Sequence, residues 1–149
     1  MYIDRKIDSA LGEWANDENR KPLLLRGARQ TGKTSSVRNL ARNFDSFIEL
    51  NFEEDSRLCA MFDDTLDIPR ICSQIEAVTG KRIVPGKTLL FLDEIQSCPR
   101  AISALRYFYE KLPVLHVIAT GSLLEFAFEE IADFGVGRVR NLFAYPLSC

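Results

Sequence analysis

Gly27-Ala28-Arg29-Gln30-Thr31-Gly32-Lys33-Thr34 is the stretch that decides the fold. It fits G-x-x-x-x-G-K-[ST], the pattern of a phosphate-binding P-loop. The apolar run Pro22-Leu23-Leu24-Leu25 precedes it and a helical pattern follows it, which is the context such a loop requires. Gly27 and Gly32 let the backbone turn tightly and approach an anion without a Cβ in the way, so that successive N–H groups can point at phosphate oxygens. A helix opening near Gly32 adds the positive end of its dipole, and Lys33 adds a mobile charge that reaches the β- and γ-phosphates. Thr34 offers a hydroxyl to Mg²⁺. The nucleotide-binding residues expected from the motif are Gly27, Ala28, Arg29, Gln30, Thr31, Gly32, Lys33, Thr34 and Ser35.

Downstream, Thr88-Leu89-Leu90-Phe91-Leu92-Asp93-Glu94-Ile95 is an apolar strand that ends in two carboxylates. Beside a P-loop this is the Walker B pattern: carboxylates that emerge from a buried strand at the carboxyl edge of a sheet can hold Mg²⁺ and activate water. Val114 to Thr120 forms the next strand and ends at Gly121-Ser122. Ser122-Leu123-Leu124-Glu125 has capping-box spacing, so Ser122 either caps a helix or, like Thr120, orients the attacking water or touches the γ-phosphate. Arg138 follows a flexible Phe134-Gly135-Val136-Gly137 joint. It is either an arginine that stabilises a transition state at a γ-phosphate or a surface charge at a strand end.

The rest of the chain supplies scaffold. Ile3, Ile7, Ala10, Leu11 and Trp14 recur at helical spacing, and Val37, Leu40, Ala41 and Phe44 form the inner face of the helix that starts on the phosphates. Phe47 to Phe52 is a further strand, and the acidic run Glu53-Glu54-Asp55 after it is a solvated loop rather than a metal site. Asp67 caps a helix carrying Ile68, Ile71, Cys72, Ile75 and Val78, with Pro69 in its first turn and Gly80 at its end. Pro99 opens another helix, with Ala101, Ile102, Leu105, Phe108, Tyr109 and Leu112 for its buried face. Val139 to Tyr145 is the last strand. The one histidine, His116, has no metal partner in the sequence and is expected to be structural.

Composition narrows the class. The 149 residues suit one domain, residues 1–149, and the 46% hydrophobic and 27% charged fractions are those of an ordinary globular protein. A net charge of −2 gives no electrostatic reason to expect nucleic acid or an anionic membrane as partner. Cys59, Cys72, Cys98 and Cys149 contain no C-x-x-C pair and are expected to be reduced. No apolar run approaches the ~18 residues of a spanning helix, and the N-terminus lacks the apolar core of a signal peptide, so a cytoplasmic location is expected.

Strand and helix alternate five times, which implies an α/β parallel sheet with helices on both faces. With the P-loop, Leu92-Asp93-Glu94-Ile95-Gln96, Ala119-Thr120-Gly121-Ser122 and Gly137-Arg138 in that order, the chain resembles the predicted AAA-type ATPases of bacteria and archaea, from Tyr2-Ile3-Asp4-Arg5 to Tyr145-Pro146-Leu147-Ser148. The resemblance implies a strand order 5-1-4-3-2 with ATP beside the central first strand. It implies Lys33 on the phosphates, Thr34 and Asp93 on Mg²⁺, Glu94 on the attacking water, Thr120 or Ser122 as sensor and Arg138 as a finger. Full-length members continue into a helical lid and a C-terminal domain, so this chain is expected to be a truncated core. Two functions follow: an ATPase, whose mark is Glu94 beside Asp93, or a nucleotide-gated binding module with little hydrolysis of its own. The implied partners are ATP and, if Arg138 acts on a neighbour's nucleotide, a second copy of the chain. No protein or nucleic-acid partner is legible in the sequence. A guanine-reading Asn-Lys-x-Asp run and the arginine-rich lid of small-molecule kinases are both absent.

Overall fold

The structure, a computed structural model, describes residues 5–27, 32–63, 66–121 and 139–143. Five strands, β1 (Leu23–Arg26), β2 (Ser46–Asn51), β3 (Thr88–Asp93), β4 (His116–Gly121) and β5 (Arg140–Phe143), form one sheet in the order β2-β3-β4-β1-β5. Every pairing is parallel. This is the order 5-1-4-3-2 that the family resemblance implies, read from the other edge.

Helices cover both faces because the central strands are apolar on both. On one side Leu24, Leu50, Leu90, Leu92, Val117 and Ala119 pack against α3 (Ala60–Asp63), α4 (Ile68–Thr79) and α5 (Pro99–Lys111). On the other, Leu23, Leu25, Leu89, Phe91 and Ile118 meet α1 (Arg5–Asn16) and α2 (Lys33–Ala41) through Ile7, Leu11, Trp14, Val37 and Leu40. Neighbours along one strand divide between the two clusters, as the two-residue period of a strand demands. Burying each such side chain stabilises the fold by roughly 1.5–3 kcal/mol, and all six residues of β3 are buried.

Several boundaries differ from expectation. β3 stops at Asp93 rather than Ile95, because Glu94 turns into the left-handed region at φ 55°. β4 starts at His116, and Val114 is 57% exposed. Phe44 lies past the end of α2, where its ring meets His116 edge-on. Asp67 occupies the N-cap position of α4 but its side chain makes no capping hydrogen bond there; Pro69, in the first turn, has no N–H to offer. The Met61–Phe62 segment between the acidic loop and α4 contributes two core side chains that no periodicity announced.

The cysteines are a clear correction. Cys59 and Cys98, expected to be reduced, are joined by a disulfide with their Cα atoms 5.6 Å apart. They are 39 residues apart in sequence, and only the pairing of β2 with β3 brings the segments that follow those strands together. Cys72 is a free thiol, pushed up to about 11 by burial and by Glu76, and Cys149 lies outside the described residues.

His116 is structural, as expected. Its Nε2–H donates to the Ala15 carbonyl at 3.0 Å, and its ring stands edge-on to Trp14 and Phe44. With Nε2 protonated in the neutral ring, a second proton would fall on Nδ1, which is buried without a hydrogen-bond partner. Burial, helped by Arg20, therefore lowers the imidazole pKa below its ordinary value of 6.5, against the opposing pull of the Ala15 carbonyl. Between the two pKa values the unfolded chain binds the extra proton, so His116 contributes stability that is present above pH 6.5 and lost as pH falls through the folded value. We expect the urea midpoint to drop from pH 7.5 to pH 5.5, and this drop to be smaller in His116→Gln. Equal drops in both proteins would exclude the imidazole as the cause.

Candidate functional site

The register of the sheet assembles the site. Asn51 pairs with Asp93 across β2 and β3, and Leu92 pairs with Ala119 across β3 and β4. Asn51, Asp93 and Thr120 consequently stand side by side at the carboxyl edge, where parallel strands all deliver their ends and where ligands of open α/β sheets bind. Thr120 Oγ1 donates to Asp93 Oδ1 at 2.5 Å, and Asn51 Nδ2 donates to Asp93 Oδ2 at 3.2 Å. Thr34 Oγ1, from the first turn of α2, lies 3.5 Å from Asp93 Oδ2. The Asp93 carboxylate is thus oriented from three elements.

Lys33 begins α2 and is buried, with Nζ donating to the Gly27 carbonyl at 2.7 Å and the Gly121 carbonyl at 2.8 Å. The Gly27 N–H in turn donates to Gly121 at 3.3 Å, so the lysine bridges the ends of β1 and β4 at the mouth of the loop. Gly32, just before the helix, has φ 84°, while a Cβ there would meet nothing within 4 Å. Glycine is needed here for its backbone angle, not for space.

Glu94 is the one described non-glycine residue with positive φ. For a glutamate this is a sparsely populated conformation, of the kind that clusters at functional sites. It turns the chain out of β3, with the Glu94 N–H reaching Thr120 Oγ1 at 3.4 Å and Glu94 Oε1 accepting from Gln96 Nε2 at 3.4 Å. Glu94 and Asp93 face a cavity of about 470 Å³ whose walls also include Lys33, Thr34, Ser35 and Asn51. Arg38 stands at its rim, held bidentately by Glu49 at 2.9 and 2.7 Å; that pairing raises the guanidinium pKa above its usual value.

Of the residues expected at the site, Gly27, Gly32, Lys33, Thr34, Ser35, Asp93, Glu94 and Thr120 converge on this edge. Ala28, Arg29, Gln30, Thr31, Ser122 and Arg138 lie outside the described residues. Sequence reasoning missed Asn51. Its Oδ1 also accepts from the Glu53 and Glu54 N–H groups at 2.9 Å, which shapes the acidic loop along the cavity wall. An asparagine ending an alternating strand was the available signal, but nothing in the sequence set that strand beside β3.

The donor set suits Mg²⁺. A hydroxyl and a carboxylate are hard oxygen ligands that leave room for the waters and phosphate oxygens this ion retains, and Thr120 and Asn51 hold the carboxylate by hydrogen bonds to its Oδ1 and Oδ2. The fully buried Thr120 hydroxyl donates to the Asp93 carboxylate and accepts from the Glu94 backbone N–H. We expect Thr120→Val to lower unfolding free energy by about 2 kcal/mol in urea, the scale of a hydrogen bond to a charged group, and Thr120→Ser to restore most of it. An unchanged midpoint in Thr120→Val would remove the hydroxyl from any structural part.

A P-loop opening a helix, an acidic strand end beside it and the order β2-β3-β4-β1-β5 define a nucleotide-binding protein with the AAA-type P-loop fold. The profile of the AAA domain family matches residues 19–149, and the chain belongs to that family. Among solved structures, the Aeropyrum pernix Orc1 protein in complex with DNA is similar at a TM-score of 0.59 and 15% identity, over 95% of this chain and 43% of that one. The C. elegans PCH-2 structure aligns at a TM-score of 0.47 and 19% identity, over 95% of this chain and 42% of that one. The chain therefore spans less than half the length of either. No curated protein matches it. Among the described residues, no helix is long and apolar enough to cross a membrane.

Proposed function

We propose that this chain binds ATP with Mg²⁺ at the carboxyl edge of its sheet and hydrolyses it, with Glu94 as general base. The observation that carries the reading is the convergence of Lys33, Thr34, Asp93 and Glu94, from two separate sequence motifs, on one cavity. Lys33 binds the β- and γ-phosphates by exchanging backbone carbonyls for phosphate oxygens. Thr34 and Asp93 hold the ion, and Asn51 and Thr120 keep the Asp93 carboxylate oriented. Bound Mg²⁺ supplies neutralisation of the charge that develops on the transferred phosphoryl group. Glu94, projecting from the strand end, takes a proton from water as the water oxygen attacks the γ-phosphorus; the bond from that phosphorus to the oxygen bridging to the β-phosphate breaks, and ADP leaves with the electron pair.

A cytoplasmic location belongs to the same reading. So does a role for Arg138 at the nucleotide of a neighbouring copy, which requires a homo-oligomer. The test is Mg²⁺-dependent ATP binding and phosphate release by the purified chain. Binding with release supports the ATPase, whereas binding without release, even at high protein concentration, favours the nucleotide-gated module. No binding at millimolar ATP would exclude both.

A further inference from the structure

We propose that Cys59 and Cys98 form a thiol–disulfide switch that sets the turnover of the nucleotide site. Its effect on turnover rests on the ATPase reading above; its effect on the order of the chain does not.

The bond lies where it can act. Cys59 ends the 3₁₀ turn Ser56–Cys59 after β2, downstream of Asn51, Glu53 and Glu54 on the cavity wall. Cys98 follows the turn Ile95–Ser97, five residues past the paired Asp93 and four past Glu94. Asn51 and Asp93 are already paired in the sheet, so the disulfide closes a ring around the two connectors that leave it. The segment carrying Glu94 is then held at both ends, by β3 before it and by the cross-link after it.

The two sulfurs differ in a way that gives exchange a direction. Cys98 is fully buried and Cys59 is half-buried, so an incoming thiolate reaches Cys59. Cys98, buried at the N-cap of the 13-residue helix α5, is out of reach of that thiolate and is therefore the sulfur that departs. Cys72, with its thiol pushed up to about 11, is a poor competitor.

A low-molecular-weight thiolate attacks Cys59 Sγ, the S–S bond breaks, and Cys98 departs as a thiolate that takes up a proton. A second thiolate attacks the small-molecule sulfur of the mixed disulfide and releases Cys59. Two small thiols are thereby oxidised to one small disulfide while the protein disulfide is reduced to two thiols. Oxidation by a small disulfide runs the same steps in reverse. In reducing compartments, protein disulfides that do form are mostly transient and regulatory. The cross-linked form keeps Glu94 pre-positioned and turns over faster. Reduction frees both connectors and slows the chemical step, while Lys33 and Thr34, which α2 brings to the cavity, retain ATP.

The test equilibrates the whole chain in glutathione buffers of graded redox ratio and traps free thiols by alkylation. The Cys59–Cys98 bond is mapped by mass spectrometry, and kcat, ATP affinity and hydrogen exchange over 52–63 and 94–98 are measured. We expect kcat to fall at least about threefold on reduction with ATP affinity unchanged within about twofold, and exchange over both segments to rise. Cys59→Ser and Cys98→Ser should each show the reduced values in every buffer. Failure of the bond to form in oxidising buffer overturns the switch, as does a bond that forms without changing kcat. Zinc uptake by the reduced protein that is lost in both serine variants also overturns it, in favour of a metal site shared with Asp63. If no state hydrolyses ATP, the ATPase reading has failed; redox-dependent exchange over 94–98 still supports the switch, and redox-independent exchange overturns it.

Discussion

Glu94→Gln is expected to lower ATP turnover by at least about 100-fold while leaving ATP affinity nearly unchanged. A positioned general base contributes typically 10²–10⁴-fold, and glutamine keeps the shape of the side chain while losing its capacity to accept the proton from water. The geometry makes the substitution a clean probe. The Glu94 backbone, not its carboxylate, reaches Thr120, and the left-handed turn that aims the side chain is a property of the chain around it. The unfolding free energy in urea should therefore stay within about 0.5 kcal/mol of the parent, the range of substitutions that remove no buried partner. Single-turnover phosphate release with saturating ATP measures the effect directly. A variant that retains even a tenth of the parent rate would exclude Glu94 as the base and point to substrate-assisted attack or to another residue.

Lys33→Ala is expected to weaken ATP binding by about 10- to 100-fold, the effect of losing one hydrogen bond to a charged group at 1.5–3 kcal/mol. The ammonium joins the Gly27 and Gly121 carbonyls at the ends of β1 and β4, beside the cavity. Its removal also takes a donor from two carbonyls, and a small fall in stability should accompany the fall in affinity. Titration calorimetry with ATP and a urea curve on the same variant separate the two effects. Lys33→Arg discriminates further: the charge is kept, but a guanidinium does not fit the space between two carbonyls that an ammonium bridges, so affinity should recover only in part. Parent-like affinity in Lys33→Ala would remove the lysine from phosphate binding.

Local chemistry made much of this site legible in advance. The P-loop and the acidic end of β3 are contiguous patterns, because strand, turn and helix each impose their residue types over a few neighbours. The strand order followed from the family likeness together with the alternation of strands and helices. By contrast, Asn51, the Cys59–Cys98 bond and the positive φ of Glu94 carry no contiguous pattern. Asn51 meets Asp93 across 42 residues, and the cysteines meet across 39.

What the sequence by itself determined is the type of the five strands and of α1, α2, α4 and α5, and the identity of Lys33, Thr34, Asp93 and Glu94 as the residues to examine, since periodicity and turn chemistry act within a few residues of chain. The tertiary structure alone decided which groups hold the Asp93 carboxylate, that Lys33 bridges β1 and β4, and that two cysteines expected to be reduced are bonded. The physical reason is register. A parallel sheet pairs residues whose separation along the chain is set by intervening helices, and a one-residue shift would turn every side chain on a strand to the opposite face.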